Sequence, residues 1–571
     1  MSDLQSLISV ANGSIPARVL RNGRVVNVFT GEIERADVVI HGGRVAAVGT
    51  GYQSVESEEL DGAFVAPGFI DAHVHIESSL CLPAAFADAT VPRGVTTVVA
   101  DPHEIANVCG EAGVCFMAAA TDPARQDVRV MAPSCVPASH LATAGGTLDA
   151  DAIARLFADG VVHGLGEMMN FPGVLSADAA VLAKIAAARG CRAPIDGHAP
   201  GVSASLINAY AAAGIGSDHE CVTADEARDR LRRGMYLLIR EATGACNLDA
   251  LLPAVTPANS RRVCFCTDDR TPGDLLRKGS VDMMVRRAIA AGIEPVEAIR
   301  MATLNPSEWF GLRDVGAIAP GRWANLIVFD DLTSPTASRV YVRGRRVAEN
   351  GRALTPAGAT EVPEAVRGVC RVDLDRVRFA IPATGTRIRL IAAVPDQIVT
   401  RHVLEAANVV DGLSVADPAR DIAKMAVLER HRGTGNVGLG FVRGTGLRRG
   451  AIAGTVAHDH HNLVVIGCDD VSMRTAAAAV VDASGGLAVA VNETVTAALP
   501  LPVAGLMSDA GVEQVAAGYD RVVAAAKQLG ASAADPFMQM SFLALEVIPS
   551  LKLTDQGLVD VEKFERVSLF V

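Results

Sequence analysis

Residues 65–79 read V-A-P-G-F-I-D-A-H-V-H-I-E-S-S. An apolar run ends in His73-Val74-His75, with Asp71 two residues before the first histidine. Side chains alternate in direction along a strand, so residues two apart project the same way. The run predicts a buried strand from whose end His73 and His75 leave together, as two imidazoles must to grip one metal ion. An H-x-H pair by itself fits a surface or core pair as well as a ligand pair. What stands at the ends of the neighbouring runs decides between them.

Outward from that stretch, residues 67–312 alternate strand-like runs with Ala-, Leu- and Arg-rich helical patterns. The runs are GFIDAHVH, VTTVVADPHE, VRVMAPSCVP, VVHGLGE, RAPIDGH, GIGSDHE, MYLLIRE and RVCFCTDD. They recur about every 20–35 residues, the length of a βα repeat. The alternation predicts an α/β fold with a parallel sheet, and eight repeats predict a (β/α)8 barrel of the TIM type. The C-terminal ends of such strands converge on one mouth. His73 and His75 follow the first run, Glu167 ends the fourth, His198 the fifth, His219 stands near the end of the sixth, and Asp268 near that of the eighth. One acid after a strand is usually a helix cap, but six donors in register point to a metal centre. Histidine, carboxylate and water ligands suit Mn, Fe or Zn without choosing among them. Asp101, His103 and Glu104 follow the second run, beside the mouth. They read either as a proline turn with a helix cap or as polar groups for a substrate edge.

On either side of the barrel, residues 1–66 and 313–365 carry short, glycine-punctuated β segments. "GGRVAAVG" and "RGRRVAENG" occupy matching places in the two, which predicts one small β-sandwich split by the barrel insertion. From 366 to 571 the composition changes again, predicting an additional α+β C-terminal domain. Its Gly433–Gly438 segment formally matches G-x-G-x-x-G, but it follows "KMAVLERHR", which reads as helix-like, so a dinucleotide site is not expected. Residues 457–462, A-H-D-H-H-N, include His458 and His461. The segment reads as a solvated loop or as one that reaches the barrel mouth.

The phrase PGFIDAHVHIESS closely resembles the first-strand motif of the amidohydrolase superfamily. Over residues 17–571 the chain resembles the bacterial adenine deaminases in "HVHIESS", "VVADPHEIANV", "GLGEMMNFPGV", "DGHAPG" and "KMAVLERHRGTGNVGLGFV". The resemblance implies two divalent ions, Mn or Fe with Zn open. His73, His75 and Asp268 would hold the first and His198 and His219 the second. Many relatives bridge the ions with a carboxylated lysine after the fourth strand; here no lysine stands there, and Glu167 would bridge. Also implied is attack of a metal-activated hydroxide on C6 of adenine, giving hypoxanthine and ammonia in purine salvage. Asp268 would act as general base and then acid. Asp101, His103 and Glu104 would pair with the purine edge, and His458 and His461 would help close the mouth over the base. A homo-oligomer, a dimer or larger, is the expected assembly. The rival class is a cyclic-amide hydrolase of the dihydroorotase or hydantoinase kind. Those commonly use the lysine bridge and a basic residue for a substrate carboxylate, so Glu167 and the acidic "DPHE" point away from it. An inactive metal scaffold would show a broken ligand set, and none of the expected ligands is missing.

Composition narrows the setting. There are 52 basic and 64 acidic residues among 571, a formal charge of −12. A surface of that sign repels phosphate backbones and anionic lipid, so nucleic-acid and membrane partners are not expected. Eleven cysteines without a C-x-x-C pair, and no signal-peptide pattern, predict reduced thiols in the cytoplasm.

Overall fold

The runs that end in chemistry become parallel strands. A computed structural model describes residues 3–203, 205–395 and 397–571. Strands β1 (Phe69–Val74), β2 (Val95–Ala100), β3 (Asp127–Ala132), β4 (Gly164–Met168) and β5 (Ile195–Gly197) lie side by side in that order in one parallel sheet. Strands β6 (Ser217–Asp218), β7 (Tyr236–Arg240) and β8 (Val263–Cys266) form a second. The two arcs are tied at both edges. Gly216 N donates to Ile195 O at 3.2 Å beside β5, and Asp268 N donates to His73 O at 2.9 Å beside β1. The result is a curled parallel sheet.

Its strands are mainly apolar because both faces are covered. Ile70, Ala72, Val99, Met131, Leu238, Cys264 and Cys266 pack in one cluster. The alternating residues Phe69, Val98, Leu237, Ile239 and Phe265 pack in another, with the surrounding helices. Cys264 and Cys266 are therefore strand packing. β5 and β6 are shorter than their sequence runs, and glycine explains the close approach between them. A Cβ on Gly197 would lie 2.0 Å from the Ser217 carbonyl oxygen. Local signals set several helix starts. Asp149 and Asp178 accept backbone N–H groups at the starts of Ala150–Ala158 and Ala179–Gly190, and Thr223 with Glu226 forms a capping box ahead of Ala224–Arg232.

The flanking β segments hydrogen-bond into one nine-stranded sheet. The join is antiparallel pairing of Leu326–Phe329 with Phe64–Pro67, the strand just before β1. The C-terminal segment builds an eight-stranded sheet with the helix Asp470–Asp482 on one face. Its other face joins the large core shared with the parallel sheet's helices.

One sequence expectation fails here. "KMAVLERHR" is not helical: Ile422–Leu428 is a central strand of the C-terminal sheet, buried along its whole length. Ala426 and Leu428 face the helix Asp470–Asp482 while Met425 and Val427 face the shared core. With both faces apolar, no alternation marks the strand. Lys424 within it is buried and paired with Asp470. The glycine-rich turn after it leads into another strand, Val437–Arg443, and not into a helix that could cradle a pyrophosphate.

Candidate metal centre

His73 is the fifth residue of β1, and His75 lies just past its end. Both are almost fully buried. His75 Nδ1 lies 2.8 Å from the Asp101 carbonyl oxygen, which can only accept, so that nitrogen carries the proton. His73 Nδ1 is 2.8 Å from Asp196 Oδ2. With the Nδ1 atoms so used, the two Nε2 atoms are left for the centre of the site, 3.1 Å apart. Two imidazoles so placed can share one cation.

Glu167, at the C-terminal end of β4, divides its carboxylate between two groups. Oε1 lies 3.2 Å from His75 Nε2 and 3.3 Å from His103 Nδ1, while Oε2 lies 2.6 Å from His198 Nδ1 and 3.3 Å from His219 Nε2. Asp268 follows β8 with φ 54°, a left-handed backbone that Asp tolerates. Its Oδ1 is 3.0 Å from His75 Nε2 and its Oδ2 is 3.0 Å from Arg240 Nη1. The six residues read from the strand ends therefore converge. His73, His75 and Asp268 cluster on one side, and His73, His219 and Glu167 on the other, with donor atoms within 4.8 Å of one another in each group. The metal site of a hydrolase fits this set: clustered imidazoles, a two-faced carboxylate and a second carboxylate.

The electrostatics fit as well. Burial alone would raise the Glu167 pKa, but His198, His219 and His75 reverse this and hold the carboxyl well below its ordinary value. Burial likewise opposes ionisation of Asp268, and His75 and the Arg240 guanidinium overcome it, so this carboxyl too is held well down.

The expected substrate-edge residues take distinct places. Asp101 Oδ2 accepts the Glu167 backbone N–H at 2.9 Å, so one carboxylate oxygen holds β4 in position and the other has no hydrogen-bond partner. His103 spans Glu167 and Glu104, with Nε2 3.4 Å from Glu104 Oε1. Glu104 is met from the C-terminal domain by His458 at one oxygen and by His461 at the other. The 457–462 segment is thus no solvated loop: His458, Asp459, His460 and His461 are all buried.

Sequence reading passed over several residues here. Asp196 orients His73, and Glu220 Oε1 lies 3.4 Å from both His198 Nδ1 and His219 Nε2. Arg240 bridges Glu220 and Asp268. Signals existed for each: Asp196 is two residues before His198, Glu220 directly follows His219, and Arg240 is the lone base ending a barrel strand. Asp459, between two of the nominated histidines, was also passed over.

The amidohydrolase family model matches residues 64–347, the span that carries the curled sheet and all six of these strand-end residues. The adenine deaminase C-terminal domain model matches residues 397–565. Full-length relatives agree. The adenine deaminase of Desulfatibacillum aliphaticivorans is 50% identical over 565 residues, 99% of each chain. That of Methanothrix thermoacetophila is 46% identical over 572 residues, covering both chains completely. That of Halalkalibacterium halodurans is 45% identical over 569 residues, 98% of this chain and 97% of the relative. The fold and its buried His/Asp/Glu cluster are those of an amidohydrolase. Within that class, the chain belongs to the adenine deaminase family.

Proposed function

We propose that this protein is a metal-dependent adenine deaminase that hydrolyses adenine to hypoxanthine and ammonia. The observation that carries the reading is the split Glu167 carboxylate, with one oxygen toward His75 and the other toward His198 and His219. It rests equally on the C-terminal domain, because His458 and His461 meet Glu104 at the edge of the centre. We read the two parallel arcs as one (β/α)8 barrel over residues 67–312, with the flanking sheet and the C-terminal domain as separate units.

His73, His75 and Asp268 would hold one cation, His198 and His219 a second, and Glu167 both. Bound there, two divalent ions lower the pKa of water and make a nucleophile available near neutral pH. The remaining chemistry belongs to the chain. Asp268, kept ionised by His75 and Arg240, accepts the proton of the attacking water and passes it to the departing amine. Arg240 orients that carboxylate from its Oδ2 side. His103 and Glu104 stand where a purine edge would offer ring nitrogens and an amino group. The His458–His461 segment covers them and excludes water, which strengthens polar contacts to the base. Eleven free thiols accord with a reducing, cytoplasmic setting. No described helix is long and apolar enough to cross a membrane.

The test is ultraviolet spectroscopy of adenine with protein loaded with Mn, Fe or Zn. The adenine spectrum should give way to that of hypoxanthine with stoichiometric ammonia. Ring opening of dihydroorotate or hydantoin with adenine untouched would overturn the assignment.

A further inference from the structure

Where the barrel mouth meets the C-terminal domain lies a second set of donor atoms that the two-ion centre does not use. His103 Nε2, Glu104 Oε1, His458 Nδ1 and Asp459 Oδ1 all lie within the same 4.8 Å of one another. Measured pairs include 3.4 Å from His103 Nε2 to Glu104 Oε1 and 3.9 Å to Asp459 Oδ1. Each residue is at least nine-tenths buried, with 2–5% of its surface exposed. We propose that these four side chains form a third divalent-cation site, shared between barrel and C-terminal domain and open when no purine is bound.

Unspent lone pairs give the first reason. Glu104 Oε1 has no well-aligned hydrogen bond, although it forms ion pairs with His458 Nδ1 and His103 Nε2. Asp459 Oδ2 is also without a hydrogen-bond partner. A buried oxygen without an aligned donor has a lone pair free for a further partner, an ion or water. The same signature, donor atoms turned toward one centre, marks His73 and His75 in the main site.

Charge gives the second. Two carboxylates are buried here, and among the described residues neither is paired with a lysine or arginine; only histidines meet them. Burying a carboxylate without a fixed cation is costly, and Asp459 is met only by His103 Nε2, at 3.9 Å. A divalent cation removes that penalty for Asp459. Two imidazoles and two carboxylates are a donor set that Mn, Fe or Zn accepts. The position gives the site a consequence. Glu104 cannot serve a cation and a purine edge together, so a bound base should displace the third ion. This last point rests on the deaminase reading, whereas the site itself does not.

The experiment is metal analysis of the full-length protein dialysed against Mn2+ and freed of loose ions. We expect three equivalents per chain, falling to two with saturating hypoxanthine and to two in Asp459→Asn. Crystals soaked in Mn2+ should show anomalous density between His103, Glu104, His458 and Asp459, which keeps the test independent of the variant's folding. Two equivalents in the parent protein with no density at that position would overturn the site, as would three equivalents retained by a folded Asp459→Asn. Three equivalents unchanged by hypoxanthine would overturn the competition with purine. Failure of the deaminase reading would appear separately, as absence of turnover at full metal loading.

Discussion

At the scale of single residues, the centre works by assigning each lone pair one task. Glu167 is the clearest case, because its two oxygens face two different groups of histidines. Glu167→Gln keeps the shape but removes a charge and one acceptor, so metal and activity should fall together. Metal content by mass spectrometry alongside adenine turnover checks this, and a fully loaded, fully active variant would exclude the bridging role. Asp268→Asn separates two duties. The histidines still supply ligands, so at least one equivalent of metal should remain. The amide cannot take a proton, and turnover should drop by about 10²–10⁴-fold or more. A loss below about tenfold would place the base elsewhere.

At the scale of elements, strand ends and one loop make the site. Asp101, just past the end of β2, ties that end to β4, its carboxylate receiving the Glu167 N–H. The neighbouring Gly166 permits this, since a Cβ there would lie 2.1 Å from Asp101 Oδ2. Gly166→Ala must move Asp101 or β4, costing about 1–3 kcal/mol of stability and displacing Glu167. Thermal melting and metal retention should fall together in that variant. The 457–462 segment is the other element. His461 Nδ1 accepts the Ala457 N–H at 3.1 Å while its Nε2 faces Glu104, so both ring nitrogens are committed. Replacing His458 and His461 by alanine should leave the two-ion centre loaded but weaken adenine binding or turnover. Kinetic constants within about twofold of the parent would show that the segment plays no part in catalysis.

At the scale of the whole molecule, the curled parallel sheet with its helices and the C-terminal domain share one core. Leu80, Phe86 and Leu275 belong to the same apolar cluster as Leu487, Val515 and Phe537. Polar ties cross as well: Asp555 accepts from Thr143 N and Oγ1 at 2.8 and 2.7 Å, and Ser139 donates to Glu546 at 2.6 Å. Behind that junction Lys552 is buried, its ammonium donating to the carbonyls of Ile398 and Phe542, and among the described residues it is paired with no acid. Burial depresses its pKa from 10.5 to about 7. Below pH 7 both folded and unfolded states carry the charge, and the burial penalty is whole. Between about 7 and 10.5 the fold releases the proton while the unfolded chain keeps it, so this residue's contribution to stability rises with pH. Lys552→Met should therefore be more stable than the parent at pH 6, by a few kcal/mol at about 1.4 kcal/mol per pKa unit. That gap should close toward pH 10.5. Melting temperatures of both proteins across that range test it, and a gap independent of pH would contradict it.

How much of this was legible beforehand differs by feature, for physical reasons. Buried parallel strands must be apolar and must end in polar groups at the mouth. The parallel α/β layout and the positions of His73, His75, Glu167, His198, His219 and Asp268 could therefore be read from the chain alone. The strand Ile422–Leu428 could not, because burial on both faces erases the alternation that marks a strand, and Lys424 finds its acid only in three dimensions. The same holds for Arg240 between Glu220 and Asp268, and for Asp196 behind His73: each contact joins residues 20 or more apart. Glu104 meets His461 across 357 residues. No local pattern encodes such a pairing, and only packing of the C-terminal domain onto the barrel decides it.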